Sequence, residues 1–271
     1  SVIKRGKEIC EKRINFPVRA HLKGFDDFNE IVWASAGNQF LTHLMLKKLS
    51  AEDQTDAIDL GWRGATHARN VALANLSVVP YTAGFGQFGS KVVPVTGQMN
   101  GCMTASATFK AIDDWGRLQS EIFGPYGPLV WTHGDESCYA FNPDSCWSET
   151  CLTAFREYLK GRYPDIASLN KEWKTNYKNW DEVMPITFED AVNTGNYAPW
   201  LEHRLAQQYV FARLYNYTGK ALSVNDPGAK VGFDGNLGFN VPNGGINWWV
   251  LKGYINILHS YIGNSEEMEI F

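Results

Sequence analysis

Pro128-Leu-Val-Trp-Thr-His-Gly-Asp-Glu-Ser-Cys138 joins a buried-strand signal to a pair of acids. Leu129–Thr132 is short, apolar and rich in β-favouring side chains, as a buried strand requires. Gly134 ends the run, and Asp135 and Glu136 follow at its C-terminal tip. Downstream, Leu152–Lys160 switches to helical spacing. In a parallel α/β barrel the C-terminal strand tips carry the catalytic groups. A solvated turn or a helix N-cap is the plainer alternative for the two acids.

Working outward, strand and helix signals alternate. Strands are expected at Asn29–Ala34, Asp56–Trp62, Ser77–Thr82, Lys230–Asp234 and Tyr254–Tyr261. Helices are expected at Phe40–Leu49, Thr66–Asn75, Phe109–Phe123, Ile166–Trp173, Trp200–Val224 and Asn247–Lys252. Residues 1–24 read as an N-terminal extension, with a short helix over Ile3–Arg13. Ala83–Ala105 reads as a long Gly-rich loop, and a second loop reaches Pro199. Such alternation argues for a parallel sheet with helical crossovers. A doubly wound sheet is the competitor, but no Gly-x-Gly-x-x-Gly follows a strand and no Gly-x-x-x-x-Gly-Lys occurs. Several strands instead end in polar or aromatic residues: Trp62 and Arg63, Tyr81 and Thr82, Asp135 and Glu136, Asp234, His259 and Tyr261. The fold class is therefore read as a TIM-type (β/α)8 barrel, with residues 1–271 forming one barrel domain. Only six of eight strands are legible, so a second polypeptide or a longer chain is expected to complete it.

Composition narrows the function classes. Hydrophobic residues make up 44% of the 271, enough for a full core and too many for disorder. The net charge of −4 is spread along the chain and suggests no nucleic-acid partner. No apolar run is long enough to span a membrane. The start, Ser1–Arg13, is charged and unlike a signal peptide. With the odd cysteine count of five, this favours the cytoplasm. Ten Trp and twelve Tyr offer flat apolar faces for sugar stacking, with Trp62, Tyr81, Trp147 and Trp248 as candidates, although each also suits ordinary packing.

One segment is more specific. Cys146-Trp-Ser-Glu-Thr-Cys151-Leu-Thr-Ala-Phe-Arg-Glu-Tyr-Leu-Lys-Gly-Arg-Tyr163, then Ile166-Ala-Ser-Leu-Asn-Lys-Glu-Trp173 and Trp180, resembles family 42 glycoside hydrolases, the β-galactosidases of clan A. His259-Ser260-Tyr261 resembles the clan's His-x-Tyr at the sixth strand. The resemblance implies retaining hydrolysis of β-galactosides or related β-glycosides, by two carboxyl groups about 5–5.5 Å apart. It makes Glu136 the general acid/base and puts the nucleophile on a seventh strand, beyond Phe271. The 271 residues alone are then expected to be inactive. It implies sugar-binding or supporting roles for Asp135, Arg63, Trp62, Asp234, His259 and Tyr261, and a carbohydrate substrate, with no cofactor for catalysis. The clan usually has Asn where this chain has Asp135; a carboxylate there favours a protonated Glu136.

The resemblance also implies a structural zinc site, with one cysteine after the third strand and three after the fourth. Cys102, Cys146 and Cys151 match, while the remaining position is Ser148. Cys138 is then the candidate fourth thiolate of a closed tetrahedral site. A Cys146–Cys151 disulfide and free thiols are the alternatives. Two other functions stay open: a non-catalytic carbohydrate-binding barrel, and a metal-dependent hydrolase built on His133, Asp135, Asp234 and His259.

Overall fold

The computed structural model describes residues 2–4, 7–10, 30–34, 36–51, 55–61, 64–81, 93–95, 98–100, 102–135, 144, 146–226, 228–234 and 246–259. These fall into two compact units, residues 1–79 with 122–129, and residues 80–121 with 130–271.

The first unit opens with an antiparallel pair, β1 (Val2–Lys4) and β2 (Lys7–Cys10), where the sequence suggests a helix over Ile3–Arg13. Lys and Glu there read as helix formers, but Val2, Ile3, Ile9 and Cys10 suit a strand better. Lys4 pairs with Lys7, leaving only Arg5-Gly6 between them in sequence, a short hairpin spacing. Next come β3 (Ile31–Trp33), α1 (Phe40–Ala51), β4 (Ala57–Asp59), α2 (Ala65–Leu73) and β5 (Ser77–Val79). The three strands are parallel and adjacent in chain order. Every residue of β4 and β5 is buried, as expected of a parallel sheet covered on both faces. Asn70 of α2 donates to Ala36 O at 2.8 Å and to Asn38 Oδ1 at 2.9 Å, anchoring the helix to the loop after β3. Val78 bridges in parallel to Pro128, the first residue of the stretch quoted above.

The second unit contains β6 (Val93–Val95) and β7 (Gln98–Asn100), an antiparallel pair inside the expected Gly-rich loop. Helix α3 runs from Ser106 to Phe123. Then β8 (Trp131–Asp135), β9 (Val231–Asp234) and β10 (Ile257–His259) form a parallel sheet, again in chain order. Tyr81 bridges in parallel to Thr132, whose backbone N–H and hydroxyl both donate to Pro80 O.

Between β8 and β9 the chain inserts α4 (Glu149–Arg162), α5 (Ile166–Trp173), α6 (Phe188–Thr194) and α7 (Ala198–Leu222). The start of α6 is marked by Thr187, which accepts from Asp190 N, and its end by Gly195 at φ 66°. A short helix, Trp248–Leu251, precedes β10.

Two cores lie among the described residues of this unit. In one, Phe155, Leu159, Leu169 and Trp173 pack together, with the Phe155 and Trp173 rings stacked 6.2 Å apart. The other gathers Ile112, Phe211, Tyr215 and Trp248 around Cys102, Cys146 and Cys151.

Candidate functional site

The β-ladder sets three of the expected site residues in one row. Asp135 of β8 pairs in register with Asp234 of β9, and Asp234 with His259 of β10. Parallel pairing puts the C-terminal ends of these strands on the same edge of the sheet. That edge is where a barrel enzyme carries its chemistry. The regular ladder breaks between Thr132 and Asp135, so the acid end of β8 departs from the register of its base. Glu136, Tyr261, Trp62, Arg63 and Cys138 lie outside the described residues.

His133 does not belong to this row. Its ring is buried and stacks on Tyr215 of α7 at 4.3 Å and 19°. The side chain faces the helix layer, and burial holds its pKa down at about 3. The set required by the metal-dependent hydrolase reading therefore loses His133. Two proposed stacking platforms are also corrected: Tyr81 and Trp248 are buried core residues. Trp147 is half-buried and meets His203 edge-on at 5.7 Å.

Asp59, at the tip of β4, is a polar residue that sequence reading passes over. It is buried and accepts from the Trp33 indole at 2.6 Å and from Gly61 N at 2.8 Å. These bonds tie the tip of β4 to Trp33 and Gly61.

The cysteines form the most complete site in the described residues. Cys102, just before α3, meets Cys146 and Cys151 at the start of α4, with the three sulfurs within 4.8 Å of one another. The Cys102 and Cys151 sulfurs are 3.3 Å apart. All three are buried free thiols, so the disulfide alternative does not hold. Ser148 caps α4, accepting from Cys151 N at 3.2 Å, and its hydroxyl lies 2.9 Å from Cys102 Sγ and 3.5 Å from Cys146 Sγ. Thr104 Oγ1 lies 3.1 Å from Cys102 Sγ and 3.3 Å from Cys151 Sγ.

Protons are shared unequally in this group. Hydrogen bonds from Cys146 and Cys151, then from Ser148 and Thr104, hold Cys102 well below the ordinary thiol range. Hydrogen bonding to Cys102 and Cys146, together with burial, pushes Cys151 up. A tetrahedral zinc–thiolate site, with Zn–S near 2.3 Å, has sulfurs about 3.8 Å apart. The observed spacing fits such an ion with small side-chain adjustments. The described trio would supply three thiolates.

Residues 100–224 match the family model for glycoside hydrolase family 42, described as beta-galactosidase. That segment, just under half of the chain, is similar to family 42 glycoside hydrolases. Beta-galactosidase BgaB of Geobacillus sp. (strain Y412MC61) is 44% identical over 52 residues, which is 17% of this chain and 8% of that protein. Beta-galactosidase LacZ of Heyndrickxia coagulans is 27% identical over 113 residues, or 38% of this chain and 17% of that one. The match thus spans less than a fifth of either curated relative.

Among solved structures, the cold-adapted beta-galactosidase from Rahnella sp. R3 superposes with a TM-score of 0.62 at 17% identity, over 91% of this chain and 40% of that one. The catalytic domain of beta-amylase from Paenibacillus polymyxa gives 0.57 at 18% identity, over 86% and 76%. Likeness at that identity speaks for the fold. The fold is that of a TIM-type α/β barrel, and the described residues supply part of it.

Proposed function

We propose that this chain is the barrel portion of a retaining β-galactosidase-type glycoside hydrolase, with Glu136 as its general acid/base. The observation that carries the reading is the family 42 match over residues 100–224, which takes in both the Asp135-Glu136 strand tip and the cysteine trio. In this reading Glu136 donates its proton to the glycosidic oxygen as the bond to the leaving group breaks. A carboxylate on a further strand attacks the anomeric carbon. Glu136 then deprotonates the water that releases the sugar. The register row brings the backbone of Asp135 beside Asp234 and His259, where polar side chains suit sugar hydroxyls. Arg63, Trp62 and Tyr261 complete the proposed sugar site. The greater length of the relatives supports closure of the barrel by further strands, from the same chain or a second polypeptide.

Cys102, Cys146 and Cys151 would hold a zinc ion whose role is structural, tying the segment after the third barrel strand to the helix after the fourth. No step of the hydrolysis runs through it.

The test is Glu136→Gln in the full-length protein. Turnover of galactosides with poor leaving groups should fall by about 10²–10⁴-fold. Activated aryl galactosides should keep more of the first step, and external azide should restore the second by forming a galactosyl azide. Undiminished turnover of ordinary substrates by this variant would overturn the assignment. A wild-type protein that binds galactosides without cleaving them would mark a sugar-binding barrel instead.

A further inference from the structure

We infer that the metal site of this chain is a three-thiolate, one-oxygen centre, with Ser148 supplying the oxygen corner. The inference rests on the structural-zinc reading above and goes beyond it, because a fourth thiolate from Cys138 is the alternative. Three observations carry it.

Ser148 lies between two of the sulfur ligands in the chain, on the turn that opens α4. Its oxygen contacts the sulfurs of both Cys102 and Cys146, at 2.9 and 3.5 Å. In a tetrahedral site with Zn–S near 2.3 Å and Zn–O near 2.0–2.1 Å, a sulfur and an oxygen ligand stand about 3.6 Å apart. Ser148 already meets that spacing to Cys146 and needs a small outward shift from Cys102. The serine is also held in place, since its oxygen accepts from Cys151 N at 3.2 Å. Thr104 Oγ1 is the competing oxygen, but its one proton goes to Thr150 Oγ1 at 2.8 Å or to Cys151 Sγ at 3.3 Å, so it serves the trio as a hydrogen-bond donor.

The chemical consequence is a softer hold. A neutral hydroxyl is a weaker ligand for zinc than a thiolate, and its corner can exchange with water. Three thiolates with a divalent ion leave one net negative charge, which the Thr104 and Thr150 hydroxyls are placed to receive, at 3.1 and 3.4 Å from Cys102 Sγ.

The experiment is zinc K-edge X-ray absorption on the reduced, zinc-loaded full chain, on Cys138→Ser and on Ser148→Cys. The expected first shell is three sulfurs and one oxygen in the wild type, the same in Cys138→Ser, and four sulfurs in Ser148→Cys. Competition with a chelator should show Ser148→Cys holding zinc about ten-fold more tightly than wild type. Four sulfurs in the wild type, falling to three in Cys138→Ser, would overturn the inference while leaving the zinc reading intact. A Ser148→Cys shell of three sulfurs and one oxygen would also overturn it. A wild-type chain that retains no zinc under reducing conditions would remove the zinc reading, and this inference with it. The wild-type and Cys138→Ser spectra decide the matter even if Ser148→Cys fails to fold.

Discussion

His133 shows how a single side chain can set the acid limit of a fold. Stacked on Tyr215 and buried, it stays neutral in the folded state down to about pH 3, whereas an unfolded histidine takes a proton near pH 6.5. Between those values the unfolded chain binds one more proton than the folded one. Stability therefore rises with pH through this window, and is lost as pH falls from about 6.5 towards 3, by roughly 1.4 kcal/mol per pH unit. His133→Phe should keep the ring stack and flatten that slope by about the same amount. Urea melts of both proteins at pH 6.5, 5.5 and 4.5 would measure it. Equal slopes would show that His133 is not the titrating group. In the sequence this histidine sits next to a catalytic-type tip, where alternation points it into the barrel wall and only the metal-dependent alternative makes it a ligand; the stack on Tyr215 agrees with the first reading.

At the level of elements, the contact between α3 and α7 depends on a missing side chain. A Cβ on Gly116 would come within 2.7 Å of the backbone carbon and Cβ of Ala221. Ser120, one turn on, donates to Leu222 O at 2.6 Å and holds the same crossing. Gly116→Ala gains about 1 kcal/mol of helix propensity, yet it forces the helices apart. The expected result is a net loss of about 1–3 kcal/mol, in the range of overpacked cores, measured by denaturant midpoint. A stabilised variant would mean that the helices separate without cost. Strand and helix order was legible here because β4 and β5 are short buried stretches carrying Ile58, Val78 and Val79, and α3 and α7 carry long helical patterns. The β1–β2 pair was not, since Lys4, Lys7 and Glu8 speak for helix and only cross-strand pairing speaks against it. Helix α6 was missed although Thr187-x-x-Asp190 and Gly195 bracket it, because its exposed face gives no apolar period.

For the molecule as a whole, the parallel, chain-order arrangement of the two three-stranded sheets and the meeting of Cys102 with Cys146 and Cys151 agree with the sequence reading. The resemblance anticipated that meeting because the cysteines fall beside strand tips, and parallel strands bring such tips together. The roles of Ser148 and Asp59 were not legible, since each depends on hydrogen bonds to residues whose positions the sequence does not specify. The cysteine trio has one more consequence. Cys102 and Cys151 are 49 residues apart, so a metal held between them would close the chain into a large ring. Ring closure removes conformations from the unfolded chain, by roughly 3 kcal/mol at that length against about 1.4 kcal/mol for the span from Cys146 to Cys151. Most of the stabilisation from the metal would then arise in the unfolded state rather than in folded contacts. Cys102→Ser keeps the short clip and opens the ring. Chelation should therefore lower its denaturation midpoint less than that of the wild type, by the equivalent of about 3 kcal/mol. Equal falls in the two proteins would show that the metal stabilises the turn at α4 and does not constrain the longer chain around it.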